Sequence, residues 1–152
     1  MDEKETDVLE SDLLESYKVI EQIYEYILRE QATFKDRVQD LNSMAYYLHN
    51  LYCAHEQLFE IVAGFFENQI EGNRYHTDLL RRMKTEIKGM RPALISSATH
   101  RMLNELRGFR HFFRHAYVAR LDSDKIEKLV QIALQLKDPF RQDMEGFLAR
   151  LR

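Results

Sequence analysis

The sequence predicts an all-α fold, an up-and-down bundle of four main helices with short C-terminal helices, in one domain over residues 1–152. Three observations lead there. Only 5 Gly and 2 Pro punctuate 152 residues, so long stretches are free to propagate helix. Apolar side chains recur at three- and four-residue spacing, with no strand alternation, internal repeat or low-complexity tract to compete. A chain of this length buries about 68–70% of its unfolded surface, enough for a single core without disulfide or metal staples. The same length leaves no room for a multi-domain enzyme, and the near absence of strand signals argues against a dinucleotide fold. With 45% apolar and 31% charged residues the chain is not disordered. No run of about 18 apolar residues predicts a membrane span. The opening MDEKETDVLESD is too acidic for a secretory leader, and Cys53 is the only cysteine, so the expected location is a reducing cytoplasm.

Each element follows from its own signals. From about Glu5 to Ala32, Leu14, Tyr17, Ile20, Tyr24, Ile27 and Leu28 keep helical spacing, with Val8 and Leu13 starting the stripe. Asp36 is the expected cap of a second helix reaching about Glu67, with Leu41, Met44, Tyr47, Leu48, Leu51, Tyr52, Leu58, Phe59 and Val62 on a broad apolar face. A short loop makes these two an antiparallel hairpin. Gly72 beside Asn73 breaks the chain, and Leu79, Leu80, Met83 and Ile87 mark a third helix. Lys88-Gly89-Met90-Arg91-Pro92 ends it. Ser96, Ser97 or Thr99 starts the next, which carries Leu103 and Leu106 toward a bend at Gly108. Asp122 caps a segment through Lys137, with Ile126, Leu129, Val130 and Leu134 inward. Asp138-Pro139 then supplies the cap and first residue of a closing helix with Phe140, Met144, Phe147 and Leu148.

The formal charge of −3 conceals an asymmetry. Residues 1–80 carry 6 Lys+Arg against 17 Asp+Glu, residues 81–120 carry 10 against 2, and residues 121–152 carry 6 against 6. An anion-attracting segment therefore sits in the middle of an otherwise acidic chain, which fits nucleic acid, a nucleotide or an acidic protein face. Within that segment, residues 107–117 concentrate Arg107, Arg110, Arg114, His111, His115, three phenylalanines and Tyr117. On a helix, Arg110, Arg114 and Tyr117 lie at i, i+4 and i+7 and His111 and His115 at i and i+4, whereas Arg110 and His115 are about 140° apart. Their cooperation needs a bend or a facing subunit. Chemically, Arg and His suffice for phosphodiester cleavage without metal: His exchanges a proton near neutrality and Arg holds the phosphate. The 2′-hydroxyl of RNA supplies an internal nucleophile.

The run Arg110, four residues, His115, one residue, Tyr117 resembles the R-x4-H-x-Y signature of HEPN domains, and specifically the HepT-like ribonuclease toxins. The resemblance implies an all-helical bundle that homodimerises, with the Arg and His of both subunits lining a cleft that cuts RNA without metal or cofactor. It implies catalytic roles for Arg110 as phosphate binder and His115 as proton-transfer residue. Tyr117 would be a regulatory acceptor of AMP from a nucleotidyltransferase antitoxin. His111 stands where that family often has a polar amide, and His111 and Arg114 are expected as auxiliary phosphate contacts.

The function expected on this reading is a metal-independent endoribonuclease of a toxin–antitoxin or defence system, leaving 2′,3′-cyclic phosphate ends. The alternatives are a non-catalytic helical dimer that binds a nucleotidyltransferase or a nucleotide through the same patch, and a structural bundle with no nucleic-acid role. Arg110 also reads as an ion-pair partner for the acidic first helix, His115 as a buried histidine and Tyr117 as a packing residue. Phe109, Phe112 and Phe113 read as core or dimer packing rather than base-stacking platforms. His76 beside Asp78 and Tyr75 lacks the dense ligand spacing of a metal site. Glu56 orients an Arg or His across the bundle, caps an internal network, or faces solvent, and is left out of the catalytic set.

Overall fold

The computed structural model describes residues 1–67, 72–115 and 120–152. Among these residues there are five helices: α1 (Glu3–Ala32), α2 (Val38–Phe66), α3 (Tyr75–Met83), α4 (Ser97–His115) and α5 (Ser123–Leu151). The all-α expectation holds, and no described helix is long and apolar enough to cross a membrane.

Asp2 starts α1 through a capping box: its carboxylate accepts from the Glu5 amide at 2.7 Å and Glu5 accepts from the Asp2 amide at 3.2 Å. The buried stripe is Leu9, Leu13, Tyr17, Ile20, Tyr24 and Ile27, while Val8, Leu14 and Leu28 are exposed. The steps of four, four, three, four and three follow one face, and the three exposed residues sit a position off it. α1 packs mainly on α2, and α2 in turn touches α3, α4 and α5. The Tyr24 hydroxyl closes the bundle by donating to the Ala133 carbonyl of α5 at 2.7 Å.

Asp36 does not cap α2. It adopts a left-handed backbone (φ 58°) and accepts from the Ser123 hydroxyl at 2.6 Å, tying the hairpin loop to the start of α5. Asp40 holds the helix start instead, its carboxylate accepting from the Lys35 and Arg37 amides.

α3 ends at Met83 rather than near Ile87, because the segment after it folds back. Ile87 pairs with Arg91 around Gly89 (φ 77°), and the amides of Leu94 and Ile95 donate to the Met83 carbonyl. The Arg91 guanidinium fills this turn, donating to Glu67 at the end of α2 and to the carbonyls of Arg82, Thr85 and Pro92. Ser96 then caps α4, its hydroxyl accepting from the Thr99 amide at 3.1 Å, and Asp143 of α5 accepts from the Ser96 amide and the Thr99 hydroxyl. α4 runs unbroken through Gly108, so the glycine does not end the helix.

The expected short C-terminal helices are one continuous α5 with Pro139 inside it. The apolar face explains the difference. Ala133, Leu136, Phe140, Met144 and Phe147 are all buried and stay in phase across the proline, and their burial outweighs the loss of one backbone hydrogen bond.

Candidate functional site

The second half of α4 has an inner edge, a flank against α2 and an outer edge. Phe109 is buried in the core, and Phe113 is half-buried with its ring centroid 5.0 Å from that of His49 on α2. Phe112 is exposed, with the Lys125 ammonium 4.9 Å from its ring centroid. The phenylalanines thus serve packing at two of three positions.

Arg110 lies on the flank. It is half-buried, and its Nε is enclosed without an acceptor. None of the ion pairs among the described residues involves Arg107, Arg110 or Arg114, so the expected pairing of Arg110 with the acidic first helix does not form there. On the outer edge, His111, Arg114 and His115 are all exposed, and the two imidazole centroids are 4.7 Å apart. His115 is therefore not a buried histidine. The geometry brings His111 to His115 and sets Arg110 against α2. Arg110 and His115 lie on different sides of the same continuous helix, as their spacing requires. Tyr117 lies outside the described residues.

Two residues complete the flank: His49, which the sequence reading did not single out, and Tyr52, which it assigned only to the apolar face of α2. His49 is half-buried; its Nδ1 is enclosed without a partner and its Nε2 lies 3.7 Å from the Cys53 sulfur. Burial lowers its proton affinity, and Arg110 and Arg114 lower it further, so this imidazole is neutral at pH 7. Tyr52 is fully buried, and its hydroxyl approaches Glu56 without reaching hydrogen-bond geometry. Burial pushes the phenol up first and Glu56 adds to this, against the opposing pull of Arg107 and Arg110. Among the described residues, three of the four enclosed polar atoms that lack a partner, on Arg110, His49 and Tyr52, therefore belong to the seam between α2 and α4. A signal was present in the sequence, since His49, Tyr52 and Glu56 are spaced i, i+3 and i+7 along one edge of the apolar face of α2.

Glu56 is buried and accepts from Nδ1 of His76 at 2.8 and 2.9 Å, a contact from α2 to the start of α3. Of the readings of Glu56, the contact with a histidine across the bundle is the one observed. Among the described residues no group of three or more His, Cys, Asp or Glu side chains gathers as metal ligands. A groove of about 440 Å³ between the end of α1, α2 and the start of α5 is lined by Phe34, Met44, Ile126 and Val130 with Asp124 and Lys128, and none of the α4 residues above borders it.

A family model described as HepT-like protein matches residues 43–151. The chain belongs to that family. The match takes in His49, Tyr52, Glu56 and the whole of α3, α4 and α5, and leaves α1 outside it. No curated protein and no solved structure matches the chain. In this HepT-like protein, then, the basic edge of α4 and the neutral histidine facing it both lie within the matched region.

Proposed function

We propose that this HepT-like protein is a metal-independent endoribonuclease of a toxin–antitoxin or defence system. The observation that supports the reading is the basic second half of α4, where Arg107, Arg110 and Arg114 stand without carboxylate partners among the described residues and His115 is exposed on the outer edge. Unneutralised guanidinium groups favour phosphate, and an exposed imidazole is placed to exchange protons with a bound chain. In the proposed reaction Arg110 holds the scissile phosphate, with Arg114 and His111 as auxiliary contacts. Neutral His115 accepts the proton of the RNA 2′-hydroxyl, whose oxygen attacks phosphorus. The bond to the 5′-oxygen breaks, and that oxygen leaves with the proton that the His115 imidazolium has just acquired. The products are a 2′,3′-cyclic phosphate and a 5′-hydroxyl.

Because Arg110 and His115 diverge on one helix, the proposed site uses two protomers, the Arg of each approaching the His of the other. The proposed cellular setting is the cytoplasm, with a nucleotidyltransferase antitoxin as partner and Tyr117 as its AMP acceptor.

The test is incubation of the protein and its His115→Ala variant with end-labelled RNA in EDTA. Cleavage by the parent alone, leaving cyclic phosphate ends, supports the reading. Absence of cleavage by a parent preparation whose mass shows no added AMP overturns it, and leaves a helical module that binds its partner or a nucleotide without cutting RNA.

A further inference from the structure

The pair formed by His111 and His115 has a geometry that phosphate binding does not require. The two residues are one helical turn apart, so their side chains share a face. Both rings are exposed, and neither makes a hydrogen bond among the described residues. Their centroids are 4.7 Å apart with ring planes at 56°.

A metal ion held by two imidazole nitrogens at about 2.05 Å lies about 3.2 Å from each ring centroid, so the centroids stand about 4.5 Å apart at a right-angled N–metal–N and about 5.2 Å apart at a tetrahedral one. The observed separation falls between these values. The spacing of the rings is therefore compatible with a shared ion once a nitrogen of each is turned toward it.

We propose that His111 and His115 form a two-ligand site for a borderline divalent transition-metal ion such as Zn²⁺ or Cu²⁺, with water or an anion completing the shell. Two neutral imidazoles one turn apart are an established ligand arrangement for such ions. The surroundings sharpen the selectivity. Arg114 on the same edge repels cations through space, and no carboxylate completes a ligand cluster among the described residues. Hard ions such as Mg²⁺ and Ca²⁺, which depend on oxygen ligands and charge, have nothing to hold them. Zn²⁺ and Cu²⁺ gain bonds to nitrogen that offset the repulsion.

The regulatory consequence rests on the nuclease reading above. The lone pair of His115 that binds the ion is the one that accepts the 2′-hydroxyl proton, so a bound ion silences cleavage.

The experiment has two arms. In the first, untagged full-length protein is titrated with ZnCl₂, CuSO₄ and MgCl₂ by calorimetry, alongside the His111→Ala, His115→Ala and His76→Ala variants. The expected result is one Zn²⁺ or Cu²⁺ per chain, weakened by an order of magnitude or more in His111→Ala and His115→Ala, unchanged in His76→Ala, and no Mg²⁺ binding. No binding at millimolar Zn²⁺ and Cu²⁺, or equal binding by the parent and His111→Ala, overturns the site. Circular dichroism of the variants checks that α4 remains folded, as expected for exposed positions.

In the second arm, RNA cleavage is compared in EDTA and in Zn²⁺ for the parent and His111→Ala. The expected ratio is well above one for the parent and close to one for the variant. Metal bound with a ratio of one for both removes the regulatory consequence. Absence of cleavage in EDTA removes the nuclease reading and leaves the metal site to stand on the calorimetry.

Discussion

Replacing Arg91 by alanine tests how the connection that carries α4 is held in place. The Arg91 side chain is 0% exposed and its Glu67 partner 3%. All five guanidinium hydrogens are used, on Glu67 twice and on the carbonyls of Thr85, Pro92 and Arg82. The alanine variant strands the carbonyls of Thr85 and Pro92, leaves that of Arg82 with the Thr85 amide, and among the described residues leaves the Glu67 carboxylate with only Arg82, whose side chain is 42% exposed. Removing one partner of a buried ion pair costs about 3–5 kcal/mol. For a chain of this size each kcal/mol lowers Tm by about 2–4 °C, giving an expected loss of about 6–20 °C. The paired variant Arg82→Ala removes a partly exposed contact worth about 1 kcal/mol or less, a shift of at most about 4 °C. The assay is thermal unfolding of both by circular dichroism, with Arg91→Met/Glu67→Leu as a third protein in which an apolar pair recovers most of the loss. Equal small shifts in Arg91→Ala and Arg82→Ala would refute the reasoning, because they would mean that the buried network contributes no more than a surface pair.

Two further expectations concern pH and salt. His55 is fully buried, donates from Nδ1 to the Leu51 carbonyl, and burial pushes its imidazole down to about 4. The unfolded chain takes up the proton first as pH falls, so native stability declines between about pH 6.5 and 4 with a limiting slope near 1.4 kcal/mol per unit for this group. His49 and His100 act in the same direction. Chemical denaturation across that range should show a shallower decline in His55→Leu, and an identical pH profile would remove the assignment. On the nuclease reading, Arg110→Ala and Arg114→Ala should each reduce the slope of log affinity against log salt for single-stranded RNA by about 0.7, measured by fluorescence anisotropy, and unchanged slopes would show that neither side chain meets phosphate.

Much of the fold was legible because helical periodicity reports burial directly. Where the reading slipped, a local signal competed with a longer-range one. Asp138-Pro139 has the chemistry of a helix start, yet the apolar face passes through it without a change of phase, and the core decides. Asp36 has the residue type of a cap, but its left-handed backbone leaves that work to Asp40, four positions on. In the site, the composition of residues 107–117 singled out α4. The facing contribution of His49 and Tyr52 depended on which edge of α2 meets α4, and the Glu56–His76 contact depended on where α3 lands. Both are decided by packing between helices that no local window of sequence contains.

The outer edge of α4 also separates two kinds of inheritance. His111, Arg114 and His115 are exposed, and among the described residues the bundle asks nothing of them by way of hydrogen bonds or ion pairs. A single nucleotide change can turn either histidine into asparagine, tyrosine or arginine while the protein folds, accumulates and presents the same shape. The chemistry of this surface can therefore be lost, altered or regained in single steps within one lineage. Screens for soluble, stable protein would be blind to those steps.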